Sequence, residues 1–286
     1  MTVNHSNMRI SFAYLYIAVV LLVSWAIGGV SYYTGGYQST VENMIYVMIT
    51  PAVIALCFQM WAYKKSLWGE MLSIVKNCNA KAVFFAIYYP LLFIGALSVF
   101  SLFCGNGSAN PTSLSSFIQS LHMFPLYFLL DFPIFWGEEY GWRGFLLMHF
   151  TSSWGKFKAT ILAGLVWALY HIPLVFLLAK STGIGNPVAV SLVQALTAFF
   201  FSFAFSHAYY LSGALLPVVL LHWVWNMFNP AFLGNIYTNK QGIITGDIFF
   251  QNGEGIMGLV LSLLMAFAIG WRFIKSDKNC RAYRDA

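Results

Sequence analysis

Apolar runs of about twenty residues recur along the whole chain, and a run of that length spans the hydrocarbon core of a bilayer when wound as a helix. They fall at about 11–30, 43–63, 82–103, 117–136, 160–178, 188–210, 214–231 and 256–274. Eight membrane-spanning helices are therefore predicted. The first is too long for the core of a secretion signal and is followed by a polytopic chain, so it reads as a retained helix. Between the second and third runs, Leu67, Met71, Ile74 and Val75 recur at helical spacing opposite polar residues. With Lys64, Lys65, Lys76 and Lys81 bracketing it, the stretch Ser66 to Asn79 predicts an amphipathic helix in the membrane interface. The Cys104 to Ser116 loop, rich in Gly, Asn, Pro and Ser, predicts turns rather than regular structure.

Composition agrees with the pattern. Of the 286 residues 59% are hydrophobic and only 8% charged, with 27 Phe, 16 Tyr and 10 Trp, and the mean hydropathy is +0.71. The fold class is an all-α polytopic membrane protein whose surrounding partner is lipid. Long helical runs, in place of ten-residue alternating segments, exclude an outer-membrane barrel. Residues 1–286 read as a single transmembrane domain, with the chemistry concentrated in a core at about 117–231.

The net charge of +6 does not point to nucleic acid, because the basic residues are scattered between apolar runs instead of gathered in a patch. With a cytoplasmic N-terminus, one side collects Arg9, Lys64, Lys65, Lys76, Lys81, Arg143, Lys156, Lys158, Arg272, Lys275, Lys278, Arg281 and Arg284, and only Lys180 and Lys240 fall on the other. That bias predicts both termini in the cytoplasm, and it places the polar motif at 137–144 near the cytoplasmic leaflet. Cys57, Cys78, Cys104 and Cys280 show no close pairing, so neither a disulfide framework nor a thiolate metal site is expected.

A charge at the centre of a membrane helix costs roughly 2.5–3.5 kcal/mol on insertion scales and needs a reason. The polar residues within the apolar runs are Glu138, Glu139, Arg143, Asp131, His122, His171, His207, His222 and Asn226. Glu139 and Arg143 are spaced i and i+4, so they share a helix face and can neutralise one another. Glu138 is turned about 100° away and lacks that partner. His222 and Asn226 repeat the i, i+4 spacing on another helix. A free carboxylate and an imidazole can polarise water, and a further His with Asn can steady an oxyanion.

In these motifs the chain resembles the CPBP intramembrane proteases, which include the type II CAAX prenyl endopeptidases and bacteriocin-processing and immunity relatives. The family pattern is Glu-Glu-x-x-x-Arg, Phe-x-x-x-His and His-x-x-x-Asn/Asp on successive helices. Glu138, Glu139 and Arg143 match the first part, His171 the second, and His222 with Asn226 the third. Trp167 stands where the family has Phe, a change expected to alter packing more than chemistry.

The resemblance implies an intramembrane endopeptidase of the bacterial cytoplasmic membrane acting on a hydrophobic or lipidated peptide. Glu138 and His171 would activate water, His222 and Asn226 would stabilise the oxyanion, and Glu139 with Arg143 would be structural. Glu138, His171 and His222 are also the set that would ligate zinc, although the close-spaced His-Glu-x-x-His helix of zincins is absent and a glutamate-activated water needs no metal. The alternative function is bacteriocin self-immunity or scaffolding by binding alone. His122, His207 and Asp131 are expected to lie outside the site, bonding neighbouring helices. An Asp131–Asp247 dyad and a Ser212 nucleophile are rejected on their positions. Gly137, Gly141 and Gly144 are expected to let helices approach closely around the cavity.

Overall fold

The computed structural model describes residues 5–63 and 75–284. The expected interfacial helix at 66–79 therefore lies largely outside the described residues. Among the described residues, eight helices are long and apolar enough to cross a membrane. In chain order the elements are α1 (His5–Glu42), α2 (Met44–Tyr63), α3 (Ala80–Phe103), β1 (Gly107–Ala109), α4 (Pro111–Ser120), α5 (Phe124–Glu139), a π-helical stretch (Tyr140–Leu147) and α6 (Met148–Thr182). They continue with α7 (Pro187–Ser212), α8 (Leu216–Leu233), β2 (Ile244–Gly246), α9 (Ile248–Gln251) and α10 (Ile256–Arg284).

Local chemistry sets several of the boundaries. Asn79, Asn110 and Asn186 cap α3, α4 and α7, each accepting a first-turn N–H through its side chain, and Pro follows the cap in α4 and α7. The loop expected to be irregular is therefore partly ordered. The Asn110-Pro111 pair starts a helix, and β1 pairs antiparallel with β2, Gly107 opposite Gly246.

The fourth run differs most from the sequence expectation. It does not end near Trp136: the helix continues through the π-helical stretch, and the whole apolar span reaches from Pro111 to Trp154. Chain direction changes only at Gly155, whose φ of 82° is open to glycine at no steric cost. There Asp277 of α10 accepts from the N–H groups of Lys156 and Phe157 at 2.9 and 3.0 Å, which starts the second part of α6. Glu138, Glu139 and Arg143 consequently sit midway along a span rather than at its cytoplasmic end.

The glycines of this stretch do permit close packing. A Cβ at Gly137 would lie 3.0 Å from Ile49 Cα, and one at Gly141 would overlap Pro51 and the Tyr16 hydroxyl. Gly141→Ala is therefore expected to destabilise the bundle by roughly 1–3 kcal/mol, the usual range for overpacking. A lowered melting temperature in detergent checks this. Pro51 has a second consequence: lacking an N–H, it leaves the Val47 carbonyl without its helical donor, and the Tyr170 hydroxyl from α6 supplies one at 3.0 Å. That bond ties α2 to the helix carrying His171.

Candidate active site

The residues singled out in the sequence converge from three helices. Glu138 and Glu139 close α5, His171 lies in the second half of α6, and His222 and Asn226 flank the middle of α8. Glu138, His171, His222 and Asn226 line one cavity of about 100 Å³, enough for several ordered waters. Val47 and Met48 of α2, Gln194 and Phe205 of α7, and Tyr237 and Glu254 from the segment joining α8 to α10 complete the wall.

Glu138 is 2% exposed and has no cationic partner among the described residues. Two indoles hold it instead. Trp167 Nε1 donates to Glu138 Oε1 at 2.6 Å and Trp142 Nε1 donates to the same oxygen at 3.3 Å. This corrects the expectation for position 167: an indole N–H does what no phenyl ring can, so the Trp reaches the carboxylate directly. Oε1 is thereby engaged, and neither indole bonds Oε2.

Glu139 and Arg143 neutralise one another as expected. Arg143 Nη1 donates to both carboxylate oxygens, at 2.9 and 3.2 Å, with both residues 0% exposed. The guanidinium lies 4.3 Å from the Trp167 ring centre and 4.6 Å from that of Phe205, so two aromatic faces cover a cation whose Nε and Nη2 have no acceptor. Sequence spacing did not reveal that Glu139 also takes a third donor. His222 Nδ1 lies 2.7 Å from Glu139 Oε1. A carboxylate only accepts there, so Nδ1 carries a proton and Nε2 is the nitrogen left for chemistry.

His171 is polarised in the same sense. Its Nδ1 lies 2.7 Å from the Trp167 carbonyl, which accepts, leaving Nε2 unprotonated in the neutral ring. The Trp167 ring packs beside both imidazoles, with centroids 5.4 Å from His171 and 6.1 Å from His222. One aromatic side chain thus braces both histidines and holds Glu138.

The residues set aside do lie elsewhere. Asp131 accepts from Trp223 Nε1 of α8 at 3.1 Å, His122 bonds the Gln119 carbonyl, and His207 packs edge-on against Phe85. Asp247 caps α9, and Ser212 accepts from the Ala214 N–H at a helix end. For a metal, the donors do not fit. Among the described residues no three His, Cys, Asp or Glu side chains come together as a metal-binding set, and Glu138, His171 and His222 do not form one.

The family model described as type II CAAX prenyl endopeptidase Rce1-like matches residues 119–228, a stretch that contains every one of the motif residues. Over this stretch the chain is similar to the Rce1-like family. The chain is also similar to CAAX prenyl protease 2 of Methanococcus maripaludis, 49% identical over 39 residues. That match covers 14% of this chain and spans 14% of the length of that relative.

Part of the cavity wall lies outside the stretch matched by the family model. Met44 and Val47 precede it, and Tyr237 and Glu254 follow it. The lining residues come from the start of α2, the end of α5, the second half of α6, α7, the middle of α8 and the segment joining α8 to α10.

Proposed function

We propose that the protein is an intramembrane endopeptidase, a multi-pass protein of a bacterial cytoplasmic membrane, that cleaves hydrophobic or lipidated peptides with a Glu138-activated water. The observation that carries this reading is one carboxylate without an ion pair among the described residues, two oriented imidazoles and an amide lining a single cavity of about 100 Å³ inside the helix bundle.

The chemistry follows from which atoms are free. Glu138 accepts a proton from water while His171 Nε2 accepts the second water hydrogen, aiming the lone pair at the scissile carbonyl. A C–O bond forms and charge develops on the carbonyl oxygen. His222 Nε2–H and the Asn226 amide donate to that oxyanion. Glu138 then returns its proton to the departing amine as the C–N bond breaks.

Glu139 stabilises the imidazolium that His222 must be to donate through Nε2. Arg143 in turn holds Glu139 in place through two hydrogen bonds. The pair is a positioning device for His222, beyond the mutual neutralisation that spacing suggests.

Reconstitution in proteoliposomes with a quenched-fluorescent hydrophobic peptide tests the reading. Cleavage is expected to persist undiminished in EDTA, with less than one equivalent of metal by elemental analysis. Loss of cleavage on chelation, restored by zinc, would overturn the water mechanism in favour of a metal-bound one.

A further inference from the structure

The cavity has a second buried carboxylate that the peptidase chemistry does not use. Glu254, 7% exposed, stands at the start of α10 and faces the same space as Glu138. Trp225 Nε1 donates to its Oε1 at 2.9 Å, Gln194 Nε2 lies 3.4 Å from its Oε2, and the Tyr237 hydroxyl donates to Oε2 in a short bond. All three partners are neutral, and among the described residues no basic side chain pairs with Glu254. Burial above all, with the charge of Glu254 adding, raises the Tyr237 phenol well above the usual tyrosine range, so it remains a proton donor to Glu254 at neutral pH.

A purely structural carboxylate would leave its neighbours satisfied, and here one is not. Gln194 is 3% exposed, and its amide nitrogen is used on Tyr237 at 3.2 Å and on Glu254, while its Oε1 is buried without any hydrogen-bond partner. A buried orphan acceptor costs about 1–3 kcal/mol unless something donates to it. Beside it lies a carboxylate whose charge is unbalanced, in a cavity with no Lys or Arg in its wall. Two acceptors facing a negatively charged apolar space call for a donor that brings positive charge. A hard metal ion wants roughly six or more oxygen ligands, so these two acceptors suit an organic cation better.

We propose that Glu254 and Gln194 form a subsite that takes the ammonium or guanidinium group of a peptide held in the cavity. The inference rests on the peptidase reading only in taking the occupant to be a peptide. It predicts selection for a basic side chain, or for a free α-amino group, in an otherwise apolar segment. The charge-assisted bond to Glu254 supplies affinity in a site shielded from water, and Gln194 Oε1 fixes direction.

Binding without turnover tests it. Three fluorescent Leu/Ala hexamers are titrated into the purified full chain in detergent: Nα-acetylated with a central Lys, Nα-acetylated with a central norleucine, and the norleucine peptide with a free N-terminus. The Lys peptide or the free-amine peptide is expected to bind at least about tenfold tighter than the acetylated norleucine peptide, the factor of one charge-assisted hydrogen bond, and the tighter of the two identifies the source of the cation. Equal affinities for all three overturn the proposal, and this arm needs no variant. In Glu254→Gln the preference is expected to vanish, and in Gln194→Leu to narrow with the carboxylate intact. A preference retained in a folded Glu254→Gln protein overturns the assignment to Glu254. Absence of cleavage with the Lys preference present would sink the peptidase reading and leave the subsite standing; cleavage with equal affinities would do the reverse.

Discussion

Replacing Glu138 by Gln is expected to lower peptide cleavage by about 10²–10⁴-fold, the usual contribution of a positioned general base, while the protein still folds. The substitution is nearly isosteric. Its amide oxygen can still accept from Trp167 and Trp142, which hold Oε1 at 2.6 and 3.3 Å, so the local packing survives. What disappears is the ability to take a proton from water. His171→Ala is expected to act in the same direction, since the Nε2 left free by the Trp167 carbonyl is the second acceptor for that water. The measurement is a cleavage rate in proteoliposomes beside a melting curve. Undiminished cleavage by folded Glu138→Gln would remove Glu138 from the mechanism.

The second large effect is on stability. Glu139→Ala is expected to cost ~3–5 kcal/mol, because it leaves the Arg143 guanidinium charged and buried without a counter-ion. Arg143 already has Nε and Nη2 without acceptors and depends on Glu139 for both of its hydrogen bonds. The aromatic faces of Trp167 and Phe205 offset only part of that loss. Replacing both partners by apolar residues, Glu139→Leu with Arg143→Met, is expected to recover most of the stability and none of the activity, since His222 loses the carboxylate that fixes its Nδ1 proton. Unfolding in mixed micelles separates the two variants. A single variant as stable as the wild type would show that Arg143 finds another counter-ion.

The two predictions distinguish adjacent carboxylates that look alike in one dimension. Glu138 meets only neutral donors and faces the cavity, whereas Glu139 is saturated by a guanidinium and an imidazole and faces protein. Spacing alone separated their directions, because consecutive helical positions differ by about 100°. It did not say what each direction holds.

How far the sequence carries depends on the range of the physics. The eight spans, the all-α class and the Glu139–Arg143 pair are legible in one dimension, because hydrophobic length and i, i+4 spacing act within a single helix. The identity of the motif residues was legible for the same reason: a charge or imidazole in an apolar run stands out. Three things were decided only by tertiary structure. The helix carrying Glu138 runs on through a π-helical stretch to Trp154, since its glycines pack against α2 and the turn waits for Gly155 and its Asp277 cap. Trp167 became a ligand of Glu138 because α5 and α6 meet at that depth. Glu254 and Gln194, sixty residues apart, share the cavity through the segment between α8 and α10. Glu254 did leave a signal, an acidic residue opening an apolar run in a chain with only 9 Asp and Glu. Its meaning depended on which helices surround it, and contacts between helices distant in sequence are set by packing that no local pattern encodes.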